Sequence, residues 1–286
     1  MSDKIIGIIG GSGLYKMAAL KNIEELDIDT PFGKPSDKLV LGEINGQKVV
    51  FIPRHAVGHK ILPSEINYRA NIYALKMLKV ETILSVSAVG SMKKEIEPGH
   101  IVIPHQFYDH TKGRKSTFFG DGIVAHVPCA EPICLELAAK VNEAAKRAGA
   151  TVHYGGTYIN MEGPQFSTKA ESNIYRQWGV DVIGMTNATE AKLAKEAEIC
   201  YCTIALSTDY DCWHEEEESV TLDAILEIIH NNVTMAQAII IEVLKDINYK
   251  KNCGCGSIVE YSIVTDKSTI PEKTKENLKE IIGKYL

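Results

Sequence analysis

The chain has 286 residues, 45% hydrophobic and 24% charged, with a formal net charge of −6. That composition fits a soluble globular protein with room for one large or two small domains, and the lack of a basic run argues against a nucleic-acid partner. No apolar run reaches the roughly 18 residues of a membrane span, and the apolar part of MSDKIIGIIGG is too short for a signal peptide, so a cytoplasmic protein with no membrane partner is expected.

Lys4 to Ile9 reads as a short apolar strand running into Gly10-Gly11-Ser12-Gly13. Glycines let backbone N–H groups turn toward an anion, and Ser12 adds a hydroxyl; a plain tight turn is the alternative. The stretch does not fit the dinucleotide pattern, because Lys16 stands where its last glycine belongs, and it lacks the Gly-Lys-Ser/Thr ending of a P-loop. Leu39 to Ile44, Asn45-Gly46 and Val49 to Ile52 predict a β-hairpin. Its second strand delivers Pro53-Arg54-His55. Arginine grips phosphate at two points and the histidine adds a second donor; the alternative is a surface pair. Pro63-Ser64 opens a predicted helix to about Leu78, with Ser64 as N-cap. Glu81 to Val86 is a buried strand that ends in the small-residue loop Ser87-Ala88-Val89-Gly90-Ser91. Pro98-Gly99 is a turn, and Ile101 to Pro104 a further strand. Residues 107–128, which include His126, mix Gly, His, Asp and Phe without periodicity and read as a long functional or interface loop.

Pro132 to Ala148 is an amphipathic helix closed by Gly149. Thr151 to Ile159 alternates like a strand and leads into Met161-Glu162-Gly163-Pro164-Gln165-Phe166. A capping box at Thr168 to Glu171 opens a helix to about Trp178. Val180 to Ile183 is a strand ending in Gly184-Met185-Thr186, and a helix covers about 188–198. The run Thr203 to Leu206 is a buried strand that ends in Ser207-Thr208, then Asp209, Asp211 and Trp213. In open α/β sheets ligands sit beyond the carboxyl ends of strands, so two acids beside aromatics there can read a nitrogen-rich ring and hand it a proton. An Asp-rich turn capping the next helix is the alternative. A long helix spans about 220–246, and the tail holds a strand near 258–264 and a helix from Pro271. This alternation predicts the α/β class: a single domain with a central mixed β-sheet flanked by helices. Residues 1–246 form it, and 247–286 are a C-terminal extension packed on the same domain.

Seven cysteines are present. Zinc sites usually space a close pair by about two to four residues and add a second pair. Cys253-Gly254-Cys255 is closer than that, and no second pair at that spacing exists. Cys200 and Cys202 face one side of a predicted strand. Seven free thiols and structural disulfides both remain open; in an intracellular protein disulfides would point to a hyperthermophile.

Sorted by chemistry, the strand ends supply two sets. Ser12, Arg54, His55, Ser87 and Thr186 suit a phosphate, while Phe166, Met185, Asp209 and Asp211 suit a base. An anion pocket and a purine pocket with a sugar-sized gap between them suggest nucleoside phosphorolysis. GGSG at 10–13, RH at 54–55, SAVGS at 87–91, NMEGPQFS at 160–167, GMT at 184–186 and above all STDYDCW at 207–213 resemble 5′-methylthioadenosine phosphorylases of the purine nucleoside phosphorylase superfamily. The likeness spans residues 4–245. Ser12 and Ser87 stand where relatives often carry Thr, and Asn187 to Thr189 follow GMT where many relatives have Pro. The tail with Cys253 and Cys255 resembles extensions of thermophilic members, in which such cysteines form disulfides.

The resemblance implies that phosphate is held by Ser12, Arg54, His55, Ser87, the backbone at Ala88, and Thr186. It places Met185 under the ribose, Phe166 and Ser167 near the base, and Asp209-Tyr210-Asp211 on adenine. Leu222 and Ile225 would line the 5′ pocket, and His126 would reach into a neighbouring subunit's site. The expected assembly is a homotrimer or a homohexamer, with methylthioadenosine and phosphate as substrates and no metal or organic cofactor. Asp209, as a carboxylate shielded from water with a raised pKa, would protonate N7, and Asp211 would bind the 6-amino group. Three rivals are weaker. A 6-oxopurine phosphorylase would favour Asn over a charged Asp, a nucleotide-binding protein without turnover needs no acid, and a dehydrogenase fails the glycine pattern.

Overall fold

The computed structural model describes residues 4–11, 13–214, 222–248 and 251–286, and of residues 222–227 and 229 the backbone alone. The strands are β1 (Ile6–Gly10), β2 (Lys21–Leu26), β3 (Leu39–Ile44), β4 (Gln47–Pro53), β5 (Thr82–Ser91), β6 (Ile101–Ile103), β7 (Gln106–His110), β8 (Val152–Tyr154), β9 (Thr157–Met161), β10 (Val182–Gly184) and β11 (Cys200–Asp209). The helices are α1 (Tyr68–Met77), α2 (Leu135–Arg147), α3 (Lys169–Gln177), α4 (Asn187–Glu196), α5 (Leu222–Lys245), α6 (Glu272–Asn277) and α7 (Lys279–Ile282). Among the described residues, the eleven strands join one mixed sheet in the order β2-β3-β4-β1-β5-β10-β9-β7, with β11, β6 and β8 branching from β5.

β5 organises the molecule. Its start is apolar and buried, as a strand covered on both faces must be. β11 runs parallel to it along one edge from Thr82 to Gly90. The other edge is shared. β1 pairs in parallel with Thr82 to Ser85, and β10 pairs antiparallel with Gly90 and Ser91. Residues 86–89 therefore face an opening between the ends of β1 and β10. Helices α2, α4 and α5 lie against β11, and α1 packs on α4.

The hairpin forms as expected, with Asn45 and Gly46 both at positive φ. The α3 capping box is also present. Other elements differ. α1 begins at Tyr68, not near Ser64, because Asn67 accepts the Ala70 N–H and is itself held by the Phe32 carbonyl at 2.7 Å. SAVGS is strand, not loop, because β11 keeps pairing with it as far as Asp209. The stretch 151–159 splits at Gly155-Gly156 into β8 and β9, and 107–128 begins inside β7. β2, charged and exposed, exists through its pairing with β3. The tail has no strand at 258–264, only a bridge from Ile263 to Ala125. Its Val259, Ile270, Leu278, Ile281 and Ile282 enter the main core. Among the described residues no helix is long and apolar enough to cross a membrane. No disulfide joins any of the seven cysteines in this structure.

Candidate active site

The opening in β5 leaves the Val86 carbonyl without a strand partner. Arg54, one residue past β4, supplies the bond. Its Nη1 donates to that carbonyl at 2.9 Å, its Nη2 to Ser85 Oγ at 2.7 Å, and its Nε and Nη2 to the Glu190 carboxylate at 2.5 and 3.1 Å. Both side chains are almost fully buried. Burial alone would lower the Arg54 pKa, but the facing Glu190 charge outweighs it and raises it. Four of the five guanidinium N–H groups are thus used inside the protein, and one on Nη1 remains. The two-point grip expected for phosphate is made on Glu190 instead.

Around this pair lies a buried polar network. Ser85 and Tyr201 donate to Glu190 at 2.7 and 2.9 Å. Asn187 donates to Ser85 and Tyr201, each at 2.8 Å. Sequence reading missed Glu190, Ser85 and Tyr201. The signal at Glu190 was a carboxylate in the first turn of α4, set between alanines that face the core. Asn187, noted only as a departure, is a keystone of the network.

Ser87 and Ala88 border the same opening. Successive residues of a strand point their backbone groups to opposite edges. Because the Val86 carbonyl faces the opening, the Ala88 N–H does too, and Ala88 is exposed there. Ser87 is buried, its hydroxyl 3.3 Å from the Ala88 carbonyl. Thr186 occupies the N-cap of α4 without making a capping bond, so its hydroxyl stays at the helix end where anions are favoured. His55 donates Nδ1–H to the Ile61 carbonyl at 2.8 Å and stacks on His59. Burial pushes its pKa down to about 4, so the ring is neutral near pH 7 and its Nε2 accepts rather than donates. Ser12 lies outside the described residues.

The two acids of the base-side set meet at the far end of the opening. A Cβ on Gly90 would lie 3.0 Å from Asp209 Oδ1 and 3.4 Å from the Asp211 Cβ, so a glycine is what lets the acids approach β5. Asp209 is exposed, accepting from the Thr208 hydroxyl at 2.6 Å and the Asp211 N–H at 2.8 Å. The shielding expected at Asp209 is found at Asp211, where burial pushes the carboxyl pKa up against the opposing pull of Ser172. Trp213 fixes this turn by donating to the Ser91 carbonyl at 2.7 Å, with the Arg176 guanidinium 3.6 Å over its ring. Tyr210 reaches the Lys94 carbonyl at 3.2 Å. Ser167 joins the turn by accepting from the Cys212 thiol at 3.3 Å. Phe166 is 81% exposed and encloses nothing among the described residues.

Met185 is half-buried against Gly163. Arg114, unremarked in the sequence, pins that region by donating to the Met185 and Glu162 carbonyls and to Tyr68 Oη. His126 is exposed, away from these groups in the chain, and its N–H bonds the Ser262 carbonyl of the tail at 2.8 Å. The side chains of Leu222 and Ile225 lie outside the described residues.

The sequence model of the phosphorylase superfamily matches residues 5–245. The S-methyl-5′-thioadenosine phosphorylase of Geobacter sulfurreducens is 58% identical over 99% of this chain and 100% of its own length. The chain belongs to the methylthioadenosine phosphorylases of the phosphorylase superfamily. A relative of the same description from Koribacter versatilis is 55% identical over 98% of this chain and 96% of its own. The crystal structure of a methylthioadenosine phosphorylase from an Antarctic soil metagenomic library superposes with a TM-score of 0.94 at 47% identity, covering 98% of this chain and 99% of the other. The methylthioadenosine phosphorylase of Schistosoma mansoni in complex with adenine gives 0.81 at 35% identity, covering 98% of each.

Proposed function

We propose that the protein cleaves S-methyl-5′-thioadenosine by phosphorolysis to adenine and S-methyl-5-thio-α-D-ribose 1-phosphate, in purine and methionine salvage. Inorganic phosphate is the co-substrate, and the reaction uses no metal or organic cofactor. The observation that carries this reading is the opening on β5. Arg54 reaches the strand at Val86, two residues before the exposed Ala88, and two carboxylates lie against Gly90. At a rise of about 3.3 Å per residue, Ala88 and Gly90 are about 7 Å apart, room for a pentose.

Breaking the N-glycosidic bond builds positive charge on the ribose. A phosphate beneath the ring stabilises that charge and then attacks C1′. Its oxygens accept from the Ala88 N–H, the hydroxyls of Thr186, Ser87 and Ser12, and the remaining N–H of Arg54. The neutral His55 ring suits the O–H of monohydrogen phosphate, which can donate to Nε2. Adenine is a poor leaving anion and needs a proton or strong hydrogen bond at N7. Asp209 supplies it from its protonated form, passing the proton to N7 and becoming the carboxylate, and Asp211 receives the 6-amino group. Phe166, Ser167 and Tyr210 surround the base, and Met185 lies under the ribose. Leu222 and Ile225 line the 5′ pocket, and His126 closes the site of a neighbouring subunit in a cytoplasmic homotrimer or homohexamer. Carboxylates rather than an amide at 209 and 211 disfavour 6-oxopurines.

The test is release of free base from methylthioadenosine, adenosine and inosine in parallel, with and without phosphate. Phosphate-dependent adenine release, fastest from methylthioadenosine, is expected. Release without phosphate, or fastest from inosine, would overturn the assignment.

A further inference from the structure

Four cysteines from three separate segments converge where the tail meets the domain. Cys134 is the N-cap of α2, Cys200 is the first residue of β11, and Cys253 and Cys255 flank Gly254. Their four sulfurs all lie within 4.8 Å of one another, with Cys200 and Cys253 Sγ 3.4 Å apart. Two disulfides would draw four sulfurs into two separate pairs, whereas here each sulfur faces the other three. A tetrahedral zinc ion at about 2.3 Å from each thiolate sets the sulfurs about 3.8 Å apart, within the span observed. We propose that Cys134, Cys200, Cys253 and Cys255 form a structural tetrathiolate zinc site that fastens the C-terminal tail to the domain.

The surroundings are built to hold these ligands. The Cys134 N–H bonds the Tyr201 carbonyl at 3.0 Å, which locks the α2 start to the β11 start. The Glu136 carboxylate accepts the N–H groups of Asn252 and Cys253 at 3.0 and 2.9 Å, which fixes the turn that presents the Cys-Gly-Cys pair. Outer partners of this kind orient metal ligands. A tetrathiolate zinc centre carries two net negative charges. The Cys134 sulfur sits at a helix N-terminus, which favours negative charge. The Lys251 ammonium bonds the same Glu81 carbonyl that receives the Cys200 N–H. From this anchor the tail continues to Ser262 and Val264, which bond His126 and Val124. The metal would thus hold the strip of tail that carries the His126 segment.

The experiment is elemental analysis of the full-length protein, produced with zinc in the medium and desalted without chelator. One zinc equivalent per chain is expected, released in step with mercurial blocking of four thiols and read with a zinc-sensitive dye. After removal of zinc under reducing conditions, cobalt should restore the visible absorption of a tetrahedral tetrathiolate. Cys253→Ser and Cys255→Ser should lose the metal and lower the melting temperature, while Cys129→Ser, an exposed cysteine outside the cluster, keeps it. Wild-type protein that contains no zinc and, once reduced, takes up neither zinc nor cobalt overturns the proposal. Four fewer titratable thiols in unreduced denaturant would then assign the cluster to disulfides, and seven free thiols to an unliganded cluster.

Discussion

Under the phosphate role proposed for Arg54, its pair with Glu190 ties stability to phosphate binding, and a double-mutant cycle separates the two. Both side chains are nearly inaccessible, at 4% and 1% exposure, and the carboxylate also takes bonds from Ser85 and Tyr201. Arg54→Ala leaves a buried carboxylate facing only hydroxyls. Glu190→Ala leaves a buried guanidinium without its counter-ion. Breaking a buried pair from one side costs about 3–5 kcal/mol. The double variant Arg54→Ala/Glu190→Ala leaves neither charge stranded, so its loss should fall below the sum of the single losses by about 2 kcal/mol or more. Denaturant midpoints at one fixed protein concentration measure this. Additive losses would refute the coupling. Phosphate kinetics give the second reading. The phosphate KM should rise far more than the nucleoside KM in Arg54→Ala and stay raised in the double variant. A double variant with a normal phosphate KM would show that Arg54 is structural only.

Asp209→Asn keeps the side-chain shape but removes the acid, so turnover of methylthioadenosine should fall by about 10²- to 10⁴-fold while relative activity on inosine rises; full turnover would move the acid role to Asp211. Methylthioadenosine should be preferred to adenosine by only about 10- to 100-fold, because apolar pockets reject an added hydroxyl weakly, and a measured preference for adenosine would refute the apolar lining assigned to Leu222 and Ile225. His55 has its pKa pushed down by burial to about 4 from 6.5, so the unfolded chain takes up a proton in that window that the folded chain refuses. Stability should therefore fall as pH drops from 6.5 toward 4, and His55→Asn should flatten that slope; identical slopes in pH-series melts would count against a buried neutral ring.

What was legible in the sequence was local. The Asn45-Gly46 hairpin and the Thr168 capping box are set by residues a few positions apart, and both form as read. The strand-end motifs were legible for the same reason, since each carries its chemistry within a short stretch. What was hidden depends on residues far apart in the chain. Glu190 meets Arg54 across 136 positions, and nothing near either residue announces the other. SAVGS looks like a loop because small residues have weak strand preference, and pairing with β11 along its length and with β10 at its end keeps it extended. The thiol cluster was hidden likewise. Spacing rules search for ligand pairs along the chain, whereas Cys134 and Cys200 become a pair only through the docking of α2 on β11.

The opening on β5 explains why the two kinds of hidden contact occur together. A sheet whose central strand is shared by two neighbours on one edge must leave backbone groups unpaired where they fail to meet, and buried unpaired groups are costly. Here the inner carbonyl, at Val86, is satisfied by Arg54, and the charge this brings inside is balanced by Glu190. The outer group, the Ala88 N–H, faces the exposed end of the same opening. One device therefore leaves a donor for an anion and places a fixed cation behind it. The Arg54 charge is largely spent on Glu190, so under the proposed reading phosphate would be held chiefly by oriented N–H and O–H donors, with one guanidinium N–H among them. Such donors are set by the fold before any ligand arrives, and for that reason they need no rearrangement as charge develops on the ribose.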